Sequence, residues 1–200
     1  MPTIVEKIDY LYNTKKLTMN QIANKLCISI WAVVYQMRKN NIKRRAWSQA
    51  QNLVFQNKKP SFNIKKNLKP NEQELKTIAS TLYWAEGVKK GTSFVDFVNS
   101  DTRMILLFLK ALRKVYRIQE SKLRVLLYCY KNQDPYELIK YWSDKLRINT
   151  AQFTKPYIRE NYDPKNIGRM KYGVIHLRYS DKKLLMKIMD EIDIIAKKFD

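Results

Sequence analysis

The sequence predicts an α+β protein: an all-α N-terminal domain, then a domain whose helices pack on a mostly antiparallel sheet. Three observations carry this reading. Up to residue 45 the apolar side chains recur at helical spacing. From residue 71 onward, amphipathic stretches alternate with short runs rich in β-branched and aromatic residues. Between them, residues 46–70 lose periodicity and fill with Asn and Lys. Hydrophobic residues make up 45% of the 200, enough for real cores and too many for a disordered tail. The expected organisation is therefore 1–45, a basic linker 46–70, and 71–200.

The first helix is set by Ile4, Ile8 and Leu11. The second, LTMNQIANKL, opens at Thr18, a good N-cap, and turns Ile22, Ala23 and Leu26 inward. The tripeptide CIS makes a short turn, and Ser29 caps IWAVVYQMRKNN, whose Val33 and Met37 face the core. Small Ala23, a tight turn at Cys27 and β-branched Val33 give a helix-turn-helix spacing: the small residue permits a close crossing and the turn fixes its angle. This segment resembles the helix-turn-helix of resolvase-like and other bacterial DNA-binding proteins. It departs from them at Cys27, where many members have glycine. Trp31, Tyr35, Arg38 and Lys39 are left on the outer side of the second helix, followed by Lys43, Arg44 and Arg45.

Within 46–70 one short helix is expected near residues 47–57. Beyond it, Asn71 can cap a helix that runs through NEQELKTIASTLYWAEG, with Glu72 and Glu74 in its first turn and a stop at Gly87. Ile78, Leu82 and Ala85 are expected to form its apolar face. SFVDFVNSD reads as a strand, DTRMILLFLKALRKVYRI as an amphipathic helix and KLRVLLYCYK as a strand. DPYELIKYWSDKLRI begins at an Asp-Pro helix start. QFTKPYIRE and KYGVIHLRYS read as two strands joined by a DPKNIG turn, and LLMKIMDEIDIIAKKF as a closing helix.

Charge narrows the function. The formal net charge is +21, and no Asp or Glu lies between Tyr10 and Asn71. A surface so positive repels itself and calls for a polyanion, nucleic acid first. Cys27 and Cys129 lie in apolar runs far apart and read as buried thiols of a reducing compartment. With His176 as the one histidine and no paired Cys motif, no zinc site is expected. No leader or membrane helix is legible, so a cytoplasmic or nucleoid-associated protein is expected, with no membrane partner. No phosphate-binding loop or nucleophile set is present.

Residues Ala79–Gly87, ASTLYWAEG, resemble a divergent LAGLIDADG motif, that of homing endonucleases and their relatives. The resemblance extends over roughly residues 72–199. It implies that this helix packs two subunits together through small residues, here Thr81 and Ala85, flanked by Ile78 and Leu82. It also implies that the last acid, here Glu86, is a ligand for a catalytic metal, Mg²⁺, with Lys89 as a catalytic group and Lys90 and Lys155 as basic neighbours. One motif per chain implies a homodimer. The earlier acid of the motif is replaced by Trp84, and the family pattern αββαββα has two strands where a single one is read here. Some relatives pair such a domain with a helix-turn-helix and regulate transcription without cleaving.

Three readings stand open. One is a sequence-specific double-stranded DNA-binding regulator, contacting DNA through Thr18, Ser29, Trp31, Tyr35, Gln36, Arg38, Lys39, Lys43, Arg44 and Arg45. The second is a Mg²⁺-dependent DNA endonuclease using Glu86. The third is an RNA-binding or architectural module. Tyr128, Tyr130, Tyr141 and Trp142 read as core and sheet surface, with base stacking as the lesser alternative.

Overall fold

The computed structural model describes residues 2–160 and 170–198. The chain forms two compact units, Met1–Lys59 and Pro60–Asp200. The DPKNIG segment, 163–168, lies outside the described residues.

In the first unit, helix α1 (Ile4–Asp9) widens into a π-turn over Tyr10–Thr14. Helix α2 (Met19–Leu26) and helix α3 (Ile30–Lys39) follow, then α4 (Trp47–Asn57). Each of the first three helices starts where a hydroxyl can take up an orphan amide. Thr3 and Glu6 form one capping box and Thr18 and Gln21 another. Ser29 Oγ accepts from the Ala32 amide at 3.1 Å. The core joins Ile8, Leu11 and Tyr12 to Ile22, Ala23, Val33 and Met37, while Ile4 stays outside.

Two expectations for this unit are corrected. Cys27 is exposed, not buried. It is the residue that ends α2, in the left-handed conformation (φ 54°, ψ 41°), so its apolar neighbours pack and it does not. Arg45 turns inward. Its Nη1 donates to the Leu17 carbonyl at 3.0 Å, its Nη2 donates to the Tyr12 carbonyl, and the guanidinium lies 3.8 Å from the centre of the Tyr12 ring. Its amide donates to the Tyr12 hydroxyl at 2.8 Å. α4 buries none of its side chains.

The second unit begins with an anchored strap. The Ser61 amide and hydroxyl both donate to Asp181 Oδ2 at 2.7 Å, and the Tyr179 hydroxyl donates to the Ser61 carbonyl. The Asn63 and Lys65 amides donate to the Tyr116 and Val115 carbonyls. Burial alone would raise the Asp181 carboxyl, but the bonds from Ser61 and from the amides of Lys183 and Leu184 outweigh it and hold it below its ordinary value.

The elements are α5 (Pro70–Glu86), β1 (Val95–Asn99), α6 (Thr102–Lys114), β2 (Leu123–Tyr130), α7 (Pro135–Leu146), β3 (Tyr157–Arg159), β4 (Val174–Tyr179) and α8 (Lys182–Ala196). Lys69, not the expected Asn71, is the N-cap of α5: Pro70 takes the first helical position, and Glu72 accepts from the Lys69 amide at 2.9 Å. The strands lie in the order β1-β4-β2-β3, with β1–β4 and β4–β2 antiparallel and β2–β3 parallel. The class is thus α+β, with a mixed sheet of four strands among the described residues. β3 and β4 were expected to be joined directly as neighbours; β2 lies between them, because the long register of β2 with β4 buries more apolar surface than a three-residue β3 offers. A single strand separates α5 from α6.

One sheet face is apolar. Val95, Phe97, Leu123, Val125, Leu127, Cys129, Ile175, Leu177 and Tyr179 share a core with the buried faces of α5, α6, α7 and α8. α6 contributes Ile105, Phe108, Leu109 and Leu112, roughly 1.5–3 kcal/mol per buried side chain. Phe108 stacks on Phe97 (centroids 4.4 Å apart) and on Tyr83 (5.7 Å). Cys129 is buried, which pushes its thiol up.

The face by which α5 packs is not the expected one. Leu75, Ala79, Ser80 and Tyr83 are buried, whereas Ile78 and Leu82 are half-buried and Thr81 and Ala85 are exposed. Gly87 ends the helix in extended backbone (φ −83°), not as a left-handed cap. Glycine is required there for another reason: a Cβ would lie 2.5 Å from the Tyr83 carbonyl oxygen.

Candidate nucleic-acid interface

The first surface is the outer face of α3. Ser29 and the left-handed turn at Cys27 fix where α3 begins, and Val33 and Met37 lock its inner side, both fully buried. Residues at i, i+4 and i+7 then share the outer side. There Trp31 is 78% exposed and Tyr35 60% exposed, with Arg38 and Lys39 exposed beyond them. Lys43 and Arg44 are also exposed. The acids of the described first unit are Glu6 and Asp9, both in α1. Such a face presents aromatic surface with cations at one end and no carboxylate of its own.

The other expected contact residues divide. Thr18 is occupied as an N-cap, its Oγ1 accepting from the Gln21 amide at 3.2 Å. Ser29 does the same for α3. Gln36 is half-buried, and its side-chain oxygen lies 3.4 Å from Asn40 Nδ2. Arg45 is held against Tyr12 and Leu17, so it stands apart from the outward cations.

The second surface is the sheet face opposite the core. Alternation along β2 and β4 puts Arg124, Leu126, Tyr128 and Tyr130 beside Val174, His176 and Arg178, none of them buried. β3 adds exposed Tyr157 and Arg159. On β1, Asp96 is buried by its bonds: Arg178 Nε donates to its Oδ2 and His176 Nδ1 lies against its Oδ1, each at 3.0 Å. Tyr128 packs against His176 (centroids 4.6 Å) on one side and Tyr157 (4.9 Å) on the other. A cavity of about 380 Å³ opens here. Sequence reasoning did not single out Arg124, Tyr157, Arg159, His176 or Arg178. The signal for them was the alternation in KLRVLLYCYK and VIHLRY, where every second side chain is charged or aromatic. The four aromatic residues read together split as well: Trp142 is fully buried and Tyr141 stacks on Tyr172 (3.9 Å, 4°), while Tyr128 and Tyr130 stand on the open face.

At the end of α5, Glu86 is exposed. Lys89 Nζ donates to the carbonyls of Trp84 (2.8 Å) and Gly87 (3.1 Å), capping the helix. Among the described residues no group of three or more His, Cys, Asp or Glu side chains could hold a metal ion. Mg²⁺ is usually held by one or two carboxylates, with waters and substrate phosphates completing its six oxygens, so Glu86 supplies at most one of its ligands.

Comparison of the chain with protein-family models, curated proteins and solved structures finds no match. Among the described residues no helix is long and apolar enough to cross a membrane.

Proposed function

We propose that this protein is a sequence-specific double-stranded DNA-binding protein, a transcriptional regulator built from a helix-turn-helix unit and a LAGLIDADG-like domain. The observation that carries the reading is the outer face of α3: Trp31, Tyr35, Arg38 and Lys39 stand exposed on a rigidly capped helix, within a stretch that has no acid from Tyr10 to Asn71. A helix so presented suits the major groove, where side chains read base edges, while Lys43 and Arg44 meet phosphates. The open sheet face of the second unit carries exposed cations of its own, Arg124 and Arg159.

The same reading makes the protein a homodimer. Thr81 and Ala85 are not packed on their own sheet; they lie exposed beside half-buried Ile78 and Leu82, leaving a helix face of small and apolar residues for a second copy of α5. The endonuclease reading would need that second copy to bring a second Glu86.

The test is fluorescence anisotropy on a labelled duplex library between 50 and 200 mM salt. Affinity is expected to fall steeply, with log K against log salt losing about 0.9 per phosphate contact. Binding indifferent to salt, or a preference for duplex RNA, overturns the reading.

A further inference from the structure

We infer that the open face of the sheet holds a pocket for one unpaired nucleobase. The inference rests on the proposed DNA-binding function and gives this face a specific ligand. Its basis is the cavity lined by Tyr128, Tyr130, Tyr157, Arg159 and His176, about 380 Å³ in volume. Pockets for small ligands run from about 300 to 1,000 Å³, so this one suits a single planar group.

The walls fit such a group. Tyr157 is 55% exposed and Tyr128 is also exposed, with Tyr128 already held at 4.6 Å from His176 and 4.9 Å from Tyr157. A row of aromatic rings ending in a half-exposed tyrosine is a stacking platform, and every base has a π-face to lay on it. The polar edge is equally defined. The Asp96 carboxylate, fixed also by Arg178, faces His176 Nδ1 at 3.0 Å. With Nδ1 engaged there, Nε2 is the ring nitrogen left to meet the polar edge of a base. Arg178 Nη2 stays 3.4 Å from the same Nδ1. Arg159, exposed at the rim, is placed for the phosphate of the same nucleotide.

The base must be unpaired. A paired base shows a protein only its groove edges, whereas this cavity offers ring faces; a base reaches them only after leaving the stack.

The experiment compares two duplexes at one salt concentration, one fully paired and one carrying a single unpaired 2-aminopurine. The full-length protein is expected to bind the second about 5- to 150-fold more tightly, the range of one aromatic–base stack. The 2-aminopurine fluorescence should fall on binding. Tyr157→Ala should bring the ratio of the two affinities toward 1 and abolish the quenching, while Tyr157→Phe keeps both. The side chain is on the surface, so neither variant threatens the core. Equal affinity for the two duplexes, or a ratio that survives Tyr157→Ala, overturns the pocket and leaves duplex binding intact. Failure to bind either duplex overturns the DNA-binding function and the pocket together.

Discussion

Arg44 and Arg45 are adjacent cations with opposite expected roles, and replacing each by Ala separates them. Arg44 is exposed. Its loss should remove one phosphate contact, about 0.9 from the salt slope, which is roughly a 3- to 4-fold change in affinity across a fourfold range of salt. The fold should be untouched. Arg45→Ala instead deletes two charge-assisted hydrogen bonds, to the Leu17 and Tyr12 carbonyls, and a guanidinium–ring contact at 3.8 Å. Such bonds are worth about 1.5–3 kcal/mol each and the ring contact about 0.5–2. Discounted for partial exposure, the loss is on the order of 2–4 kcal/mol. The stability of a unit this size is itself only about 3–9 kcal/mol, so its melting midpoint should drop by roughly 10 °C or more. Arg45→Lys keeps the charge but not the planar fork and should recover little of this. Circular dichroism melts read the stability and anisotropy against salt reads the slope. An Arg45→Ala protein that melts like the wild type, yet loses as much slope as Arg44→Ala, would refute the assignment.

Three further expectations follow from the packing. Ala85→Arg should split a dimer into folded monomers in light scattering; a wild type that stays monomeric even on DNA removes the α5 interface. Asp181→Asn should cost about 2–3 kcal/mol at pH 7. The folded carboxyl titrates below its unfolded value, so its stabilisation is present above about pH 4 and fades as pH falls through the folded value; urea titrations at pH 7 and pH 2.5 should show the gap closing, and a constant gap would contradict this. Cys27→Gly should relieve about 1 kcal/mol of left-handed strain, and an unchanged or lower melting midpoint would count against that.

Element order was legible because periodicity is strong where only one face is buried. Ile22, Val33 and Met37 on one side and Trp31 and Tyr35 on the other could be sorted from spacing alone, and all five fall as read. α5 defeats that logic. Between Ile78 and Ala85 nearly every position is apolar, so the spacing fits two faces, and only the sheet beneath selects Leu75, Ala79 and Tyr83. The pairing of β3 with β2 rather than β4 depends on a long-range register that adjacency in sequence does not encode. Arg45 is read from sequence as one more member of a basic run; only the position of the Tyr12 ring, 33 residues earlier, makes it a clamp. The open-face residues were visible as an alternation but not as a surface, since whether helices cover one side of a sheet or both is decided by the chain's other elements.

Among the described residues β3 is the strand at one end of the sheet, and a terminal strand invites a foreign strand to add. In a chain with exposed tyrosines nearby, that would be a route to aggregation. Three features oppose it. β3 has only three residues, too short a template for a stable new ladder. Pro156, just before it, has no amide to donate. Lys155 and Arg159 set positive charge at both ends, so two such edges repel. The aromatic row can therefore stay uncovered in a concentrated, crowded solution without turning the sheet edge into a seed for self-association.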